Sequence, residues 1–393
     1  MTQRAYQFRF YPTDKQQQQL AQTFGCCRKV YNHFLAYRSD AWYERQERVS
    51  EVDTINMLPG LKKGEFPYLK EVSSVPLQQA LRHLQRGFVN FWEGRAKYPT
   101  FKSKHHKQSA TYARTGFSFD RAQHGLRIAK LGIVNLKWSQ DVSMDPSTII
   151  LSQTPSGRYY VSLRCEVDVQ PLPPVTKEIG IDVGLTHTAT LSNGEKIGNP
   201  RHTRKYEKKL ARAQREMARK QKDSQNRHKA RVKVAQIHQK ISDCRMDFVH
   251  QMTTRLIREN QVIVVEDLNV TGMIRNHSLA KHIADVSWGE IFRQLEYKAE
   301  WYGRTFVKID RFYPSSKRCS GCGYIVAKLP LSVRAWTCPK CEVVHDRDHN
   351  AAKNIVAAGQ AVLACGSGVR PKRSAERQGN QRRSRNRLKM RHV

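Results

Sequence analysis

The sequence of 393 residues contains no long apolar run. A membrane-spanning helix requires about 18 consecutive apolar residues, and no such stretch is present. It also shows no secretory signal pattern and no lipidation motif. We therefore expect no membrane partner and a protein that stays inside the cell.

Acidic residues are scarce. Asp and Glu number 34 against 69 Lys and Arg, which gives a formal net charge of +35. So basic a chain predicts a polyanionic partner, with nucleic acid as the leading candidate, and binding that weakens as salt rises.

Cysteine is limited to nine residues, and five of these do not form a pattern. An odd number of scattered cysteines is not the framework of a disulfide-stapled secreted domain, and it fits a reducing compartment better. The five are Cys26, Cys27, Cys165, Cys244 and Cys365.

The other four cysteines form two Cys-x-x-Cys pairs separated by fifteen residues. Two such turns, each offering two thiolates, close a tetrahedral zinc site. No fifth ligand is evident, so we expect a closed structural site in which Zn²⁺ folds the segment. The alternative, unrelated surface cysteines or disulfides, does not explain the paired spacing. The predicted ligands are Cys319, Cys322, Cys338 and Cys341.

The first half of the chain alternates between strand and helix patterns. Residues 4–11 alternate apolar and polar side chains, which predicts a strand with one buried face. A helix follows, with Thr13 or Asp14 as its N-cap, and a second helix is predicted over about 76–93. Strand patterns return over 111–169. A β segment interrupted by a helical insertion is therefore expected, and a small β-barrel is one form it could take.

The polar face of the 76–93 helix carries Gln78 and Arg82. Glutamine and arginine are side chains that read base edges, and they are also ordinary residues of a solvated helix face. We place both among the candidate nucleic-acid contacts.

The segment over 201–258 has a helical pattern with a polar break at 223–226, which predicts an antiparallel helix pair. Its first arm is strongly basic and too poor in acids to balance its charge, so we favour backbone contact with nucleic acid over a merely solvated face. The residues put forward are Lys205, Lys208, Lys209 and Arg212. Further on, Ser287-x-x-Glu290 has the pattern of a capping box at the start of a helix over 287–302.

Three acids stand on separate elements of the second half. Asp182 lies within a short apolar strand, where a charge is costly unless it binds something. Glu266 ends the apolar strand Val262–Val265, and Asp348 enters a helix just after Asp346. An acid at a helix start can also be an N-cap, so each position alone is ambiguous.

Taken together, the acids fit an RNase H-like fold built from a β-hairpin, helix, strand and helix. In such a site the carboxylates would bind two Mg²⁺ ions about 4 Å apart, one activating a water and one stabilising the departing 3′ oxygen of a phosphodiester. Carboxylates are the hard oxygen ligands that Mg²⁺ requires.

In order, the segments IGIDVGL, VVEDLNVTGM, CSGC…CPKC and HDRDHNAAKNI resemble the TnpB family. These proteins are RNA-guided nucleases encoded by bacterial insertion sequences and are relatives of the type V CRISPR effectors. The resemblance covers most of the chain. It implies that Asp182, Glu266 and Asp348 are RuvC-type catalytic acids that hold Mg²⁺, with Mn²⁺ as an alternative ion, and that Asp346 ranks second to Asp348. The family often has an acid or a small residue where this chain has His349.

The resemblance also implies an α+β multidomain architecture: an RNase H-like (RuvC) nuclease domain with an inserted four-cysteine zinc ribbon, and an N-terminal β-barrel interrupted by a helical recognition domain. The implied layout is a wedge barrel over 1–11 and 98–173, a recognition domain over 12–97, a nuclease domain over 175–314 and 345–366, a zinc ribbon over 315–344, and a basic, disordered tail over 367–393.

The implied partners are a guide RNA derived from the end of the element and a target double-stranded DNA, in a monomeric ribonucleoprotein of the bacterial cytoplasm and nucleoid. Base pairing with the guide would supply specificity, and cleavage would occur next to a short target-adjacent motif that Gln78 would face. Two alternatives remain: a guide-independent, structure-selective RuvC-type nuclease, and a guided DNA-binding repressor that does not cut. The presence of all three acids argues against the second alternative.

Overall fold

The computed structural model describes residues 2–123, 125–142 and 144–365. The tail predicted over 367–393 lies outside the described residues. The chain forms two compact units. The first comprises the described residues up to Pro174, with Pro200–Arg258 and Lys281–Arg304; the second comprises Val175–Asn199, Glu259–Ala280 and the described residues from Thr305.

The helices, in chain order, are α1 (Asp14–Arg45), α2 (Glu51–Lys63), α3 (Ser74–Trp92), α4 (His202–Ala218), α5 (Gln225–Glu259), α6 (Val270–Met273), α7 (His277–Val286), α8 (Trp288–Tyr302) and α9 (Arg347–Ala364). In the described part of the chain, none of them combines the length and the apolar character needed to cross a bilayer.

The strands of the first unit are β1 (Thr2–Phe10), β2 (Gln108–Ala113), β3 (Phe117–Asp120), β4 (Gly125–Ile128), β5 (Gly132–Val134), β6 (Leu136–Lys137), β7 (Pro146–Gln153) and β8 (Tyr159–Val167). Those of the second unit are β9 (Glu178–Val183), β10 (His187–Leu191), β11 (Lys196–Gly198), β12 (Val262–Glu266), β13 (Thr305–Ile309), β14 (Ala335–Thr337) and β15 (Val344–Asp346).

The first unit is built on a five-stranded antiparallel sheet in the order β2-β7-β8-β1-β6. All nine residues of β1 pair with β8, from Thr2 opposite Val167 to Phe10 opposite Tyr159. The prediction of a β segment that is interrupted by helices and then resumes is therefore confirmed. The hydrogen-bonded order runs from β2 to β6 as an open sheet, with β3, β4 and β5 in a separate sheet, so these pairings do not show the predicted barrel closure.

Helices α1 and α3 pack against this sheet through a shared apolar core. Thr13, rather than Asp14, is the N-cap of α1, and it forms a capping box with Gln16. Leu77, Leu81 and Leu84 of α3 are fully buried, as their helical spacing predicts.

Helices α4 and α5 form the predicted antiparallel pair. Glu216 near the end of α4 lies 3.9 Å from Lys233 early in α5, whereas the His202 ring at the start of α4 contacts Phe248 further along α5. The break between them falls at residues 219–224. No residue of α4 is fully buried. The helix packs against α5 through a row of half-buried side chains, and the rest of its surface is exposed.

The capping box predicted at Ser287 is wrong. Ser287 adopts a left-handed conformation with φ of +62°, and its side chain makes no N-cap hydrogen bond. An N-cap side chain requires extended backbone, and here α7 ends only one residue earlier, so Ser287 reverses the chain instead. Its hydroxyl donates to the carbonyl oxygen of Ala284, and Glu290 accepts from Arg293 and Gln294.

The second unit is built on a five-stranded mixed sheet in the order β11-β10-β9-β12-β13. Strands β9, β10 and β11 form an antiparallel meander, and β12 and β13 add to it in parallel. This arrangement of a β-hairpin joined to parallel strands is the one expected of an RNase H-like sheet.

Helix α9 lies directly on strand β9, and a glycine permits the approach. A Cβ atom at Gly180 would lie 2.2 Å from the carbonyl oxygen of Ala352 and 2.8 Å from the backbone nitrogen of Val356. No real side chain tolerates such contacts, so Gly180 lets helix and strand backbones touch. The start of α9 is thereby fixed against the strand that carries Asp182.

Candidate functional site

The strand register brings two of the three predicted acids side by side. Strands β9 and β12 are parallel, with Ile181 opposite Val265. Asp182 and Glu266 each follow one residue later. Because adjacent parallel strands in register present side chains to the same face, the two carboxylates leave the sheet together.

The third acid, Asp348, lies in the first turn of α9. Burial, together with the negative charges of Glu266 and Asp348, raises the pKa of Asp182 well above its usual range. Burial also raises the pKa of Glu266, and a hydrogen bond from Ser315 opposes this effect. The charges of Glu266 and Asp348 thus both act on Asp182. We refer to these three residues as the acid cluster.

Asp346 has a different position and a different task. It is the N-cap of α9, and its side chain accepts from the backbone N–H of His349 at 2.9 Å. Lys196 lies 2.6 Å from its other oxygen. Burial would raise the pKa of Asp346, but the Lys196 ammonium and the capping bond lower it. Asp346 thus begins the helix that presents Asp348, in keeping with its lower rank as a candidate.

His349 turns its ring away from the acids. Its Nε2 atom lies 3.2 Å from the backbone oxygen of Ser192, in the turn between β10 and β11. The residue at this position therefore ties α9 to the meander.

Two arginines next to the acids were not found by the sequence reasoning. Arg334 lies with Nη1 3.5 Å from Oδ1 of Asp348 and remains mostly exposed. Together with Arg347, it lowers the pKa of Asp182 against the larger effects of burial and the other acids. Arg347 is held by the carbonyl oxygen of Pro330, at 2.6 Å. Arg334 belongs to no motif, and Arg347 stands within HDRDHNAAKNI without a role that the pattern assigns, so only the fold relates both residues to the acids.

The three acids are suitable ligands for divalent cations. A bound cation would relieve the repulsion among the carboxylates. Mg²⁺ and Mn²⁺ prefer carboxylate oxygens as ligands. Within residues 2–123, 125–142 and 144–365, the cysteine cluster is the one group of three or more potential ligands whose atoms all lie within 4.8 Å of one another. A two-ion site does not require the acids to meet that spacing, because each ion takes only some of them.

The four cysteines converge as their spacing predicts. All four sulfur atoms lie within 4.8 Å of one another, with Cys319 3.6 Å from Cys341 and Cys322 3.6 Å from Cys338. Such a cluster fits one tetrahedral Zn²⁺. Nε2 of the buried His345 lies 3.0 Å from the sulfur of Cys319, the contact of a residue that orients a ligand.

Two buried asparagines of α9 hold the first cysteine turn. Asn350 accepts from the backbone N–H of Ser320 at 2.9 Å and donates to the carbonyl oxygen of Arg318 at 2.7 Å. Asn354 donates to the same carbonyl oxygen at 2.6 Å. These bonds satisfy backbone groups on both sides of Cys319 and join the cysteine cluster to the helix that carries Asp348.

The hydrogen bonds of Asn354 also lead to Glu266. Asn354 also donates to the carbonyl oxygen of Ser315 at 2.7 Å, and the Ser315 hydroxyl donates to Oε1 of Glu266. Ser315 and Asn354 are both buried. The cysteine cluster, α9 and Glu266 are therefore one continuous hydrogen-bonded assembly, which no local sequence pattern revealed.

The candidate nucleic-acid contacts lie in the first unit. Gln78 of α3 is half-buried, and Arg82 is exposed but lies 3.6 Å from Glu51. On α4, the predicted residues Lys205, Lys208, Lys209 and Arg212 are all exposed. The arrangement agrees with a basic surface, and the contacts themselves stay a prediction.

Comparison with protein families gives three matches. The model described as a probable transposase, OrfB of IS605, matches residues 162–277. A Cas12f1-like TNB domain matches 288–355, and the helix-turn-helix domain of the OrfB proteins matches 1–47.

Two relatives align over nearly their full length. A protein of Streptomyces pristinaespiralis described as "Putative RNA-guided DNA endonuclease" is 51% identical over 381 residues, which are 96% of this chain and 94% of that protein. InsQ of Escherichia coli K12, described in the same words, is 32% identical over 93% of this chain and 94% of that protein.

Among solved structures, Cas12f1 in a complex with its guide RNA and target DNA superposes with a TM-score of 0.58. The match covers 90% of this chain and 98% of that one at 12% identity, so it shows the fold alone. Fold and family matches define the class: a transposon-encoded protein with the fold of a RuvC-containing effector. The chain belongs to the TnpB family.

Proposed function

We propose that the protein is an RNA-guided endonuclease that cleaves double-stranded DNA next to a short target-adjacent motif by Mg²⁺-dependent phosphodiester hydrolysis. The observation that carries this proposal is the placement of Asp182 and Glu266 at neighbouring positions of the paired strands β9 and β12, with Asp348 in the first turn of α9. Burial, and then the charges of the other two acids, raises the pKa of Asp182. The two relatives that align over nearly their full length are both described as putative RNA-guided DNA endonucleases, which supports the proposal.

In this proposal the three acids hold the divalent ions. When bound, the ions activate a water and stabilise the departing oxygen. Ser315 orients Glu266 by its hydrogen bond, and the N-cap Asp346 fixes the first turn that presents Asp348. Arg334 supplies positive charge beside Asp348, where a phosphate that enters the site gains an attractive partner.

The first unit would hold the nucleic acids. Guide pairing would select the target, while Gln78 of α3 would face the target-adjacent motif and Arg82 would contact nucleic acid. The proposed domain layout is the one given above, with Zn²⁺ on the four cysteines. The working form would be a monomeric ribonucleoprotein in the bacterial cytoplasm.

The test begins with sequencing of the RNA that co-purifies with the protein expressed from its own locus. We expect one discrete RNA with a constant scaffold and one end that extends into flanking sequence. A plasmid carrying that flanking sequence should then be cut by the purified complex, and a scrambled target should not. A heterogeneous RNA pool, with cutting that ignores the target sequence, would favour a guide-independent nuclease.

The basic face of α4 gives a separate prediction. Replacing Lys205, Lys208, Lys209 and Arg212 together with glutamine should weaken RNA binding. It should also reduce the slope of log Kd against log salt concentration by about 3, because each lost phosphate contact removes about 0.7 to 0.9 from that slope. Titrations at several salt concentrations measure both quantities.

Glutamine keeps a high helix propensity, so circular dichroism should show an unchanged helix content. The control replaces the two acids of the same helix, Glu207 and Glu216, with glutamine. That variant should bind RNA no more weakly than the wild type. An unchanged salt slope in the fourfold variant would rule out α4 as a backbone contact.

A further inference from the structure

The loop between β13 and the cysteine cluster is attached at Ile309 and Ser315, next to Glu266, and exposes an aromatic ring. Phe312 is 85% exposed, more than any other large apolar side chain in the described part of the chain. Single exposed apolar residues are common on protein surfaces, so exposure alone says little about Phe312. Its position in a loop whose two ends are attached next to Glu266 is what distinguishes it.

The loop is ordered, and both of its ends are attached next to Glu266. On one side, the backbone N–H of Asp267 donates to the carbonyl oxygen of Ile309 at 3.0 Å, and β13 pairs Ile309 with Glu266 itself. On the other side, Ser315 donates its hydroxyl to Glu266. Phe312 lies midway between these two attachments.

Within the loop, local bonds fix the direction of the ring. The backbone N–H of Phe312 donates to Oδ1 of Asp310 at 2.7 Å, and that of Tyr313 donates to the carbonyl oxygen of Asp310 at 3.1 Å. Tyr313 turns inward and packs against the apolar core of the second unit. Because Tyr313 packs against the core, the neighbouring side chain of Phe312 is directed outward.

The basic residue next to Phe312 already has an ionic partner: Arg311 lies 2.6 Å from Asp267. Phe312 itself pairs with no other ring among the residues that the structure describes. What the loop offers is one exposed aromatic face, three residues from both Ile309 and Ser315, the two residues that attach the loop to Glu266.

We propose that Phe312 is a stacking platform for a nucleobase of the DNA strand that enters the acid cluster. The inference rests on the proposed nuclease function and adds a residue to it. The ligand class is an unpaired base, because a base within a duplex is already stacked on both faces. Stacking on an aromatic side chain tolerates any base, as a programmable nuclease requires.

The function of the ring is to hold the strand beside the acids once the duplex has opened. A stacked base next to the scissile phosphate restricts the motion of the backbone and keeps that phosphate near Asp182, Glu266 and Asp348. Phe312 is accordingly a positioning residue, and it takes no part in the transfer of protons or in metal binding.

The first test combines Phe312 variants with altered DNA. Phe312→Ala should lower kcat/KM for target cleavage about tenfold, a value within the about 1–3 kcal/mol that one stacked base contributes. Target strands with a single abasic site, placed in turn at each position around the cut, should include one that the wild type cuts equally slowly. On that substrate Phe312→Ala should cause no further loss.

Two substitutions separate stacking from simple apolar contact. Phe312→Trp should restore wild-type cleavage, whereas Phe312→Leu, which is apolar but not aromatic, should remain as slow as alanine. The control is Leu331→Ala, at an apolar side chain that is 79% exposed in the second unit, and it should cut both substrates at the wild-type rates.

A second measurement does not depend on cleavage. A short single-stranded thymidine oligonucleotide that contains one 2-aminopurine should lose fluorescence on binding to the full chain, and lose much less on binding to Phe312→Ala. If the wild type stacks the probe but cuts no DNA, the proposed function fails and the stacking site stands.

Three results would overturn the inference: equal kcat/KM for wild type and Phe312→Ala, full activity of Phe312→Leu, or a loss that is as large on the abasic strand as on the intact one. Self-association of the wild type that disappears in Phe312→Ala, without any change in 2-aminopurine stacking, would instead assign the ring to an interface between copies.

Discussion

Replacing Asp182 with asparagine is expected to abolish DNA cleavage, with a loss of at least about a thousandfold, equivalent to about 4 kcal/mol of activation free energy. Asparagine keeps the size of the side chain and removes the charge that the cluster offers to metal. Binding of guide RNA and target DNA should be unchanged, because the basic residues proposed for it lie on other elements. Single-turnover cleavage and filter binding measure the two effects separately.

The same variant should be more stable than the wild type when metal is absent. Burial and two like charges raise the pKa of Asp182, so its ionised form destabilises the folded state at neutral pH. Without added Mg²⁺ or Mn²⁺, and without a chelator because it would also remove Zn²⁺, we expect Tm to rise by about 2–4 °C for each kcal/mol that is relieved. Mg²⁺ should raise the Tm of the wild type and have little effect on that of Asp182→Asn.

Asp346→Asn is the matched control, since asparagine also caps helices and Asp346 is the N-cap of α9. Its cleavage rate should stay within about threefold of the wild-type rate. If Asp182→Asn cut DNA normally while Asp346→Asn did not, the assignment of the acids would be wrong.

Replacing Cys338 with serine should also abolish cleavage, although its sulfur lies in the cysteine cluster and not among the acids. Structural zinc contributes about 10–16 kcal/mol to the folding of small zinc-binding peptides, so a cluster with three thiolates should lose both its ion and its fold. Asn350 and Asn354 would then lose their partners at Ser320, Arg318 and Ser315. Glu266 would lose the bond from Ser315 in turn.

The measurements are zinc content, cleavage rate and proteolytic sensitivity. We expect zinc to fall from one equivalent to none, cleavage to fall by more than about a hundredfold, and new proteolytic cuts to appear within residues 315–346. Cys365→Ser changes an exposed cysteine outside the cluster and should retain zinc and activity. Full cleavage by a zinc-free Cys338→Ser protein would show that the cluster does not support the acids.

Spacing alone predicted the cysteine cluster, since a Cys-x-x-Cys pair is a local pattern with a local geometry. The three acids were predicted from their elements together with the family resemblance, and the structure brings them together; their catalytic role stays a prediction until Asp182→Asn is measured. Arg334 and Ser315 were missed because their importance arises from a neighbour distant in sequence. No periodicity marks a serine that bonds to a glutamate 49 residues away.

The helices likewise divide into those that a local sequence pattern predicted and those that it did not. Helices α1 and α3 were predicted because apolar residues recur at helical spacing. Helix α2 was not predicted, because it buries only Thr54 and Leu58 and contains Pro59. At Ser287 the local pattern was misleading: the sequence of a capping box is present, but the reversal between α7 and α8 fixes a backbone angle that excludes the cap.

The insertion of the cysteine cluster between β13 and α9 has a consequence for the order of synthesis. Asp182 and Glu266 leave the ribosome first, and Asp348 follows Glu266 by 82 residues. At about 5–20 residues per second, that interval lasts about 4–16 s. Throughout it, the nascent chain has its basic helices and two of its three acids, so it can capture RNA before it can complete the acid cluster. If the proposed function holds, guide loading would therefore be able to begin before the acid cluster is complete.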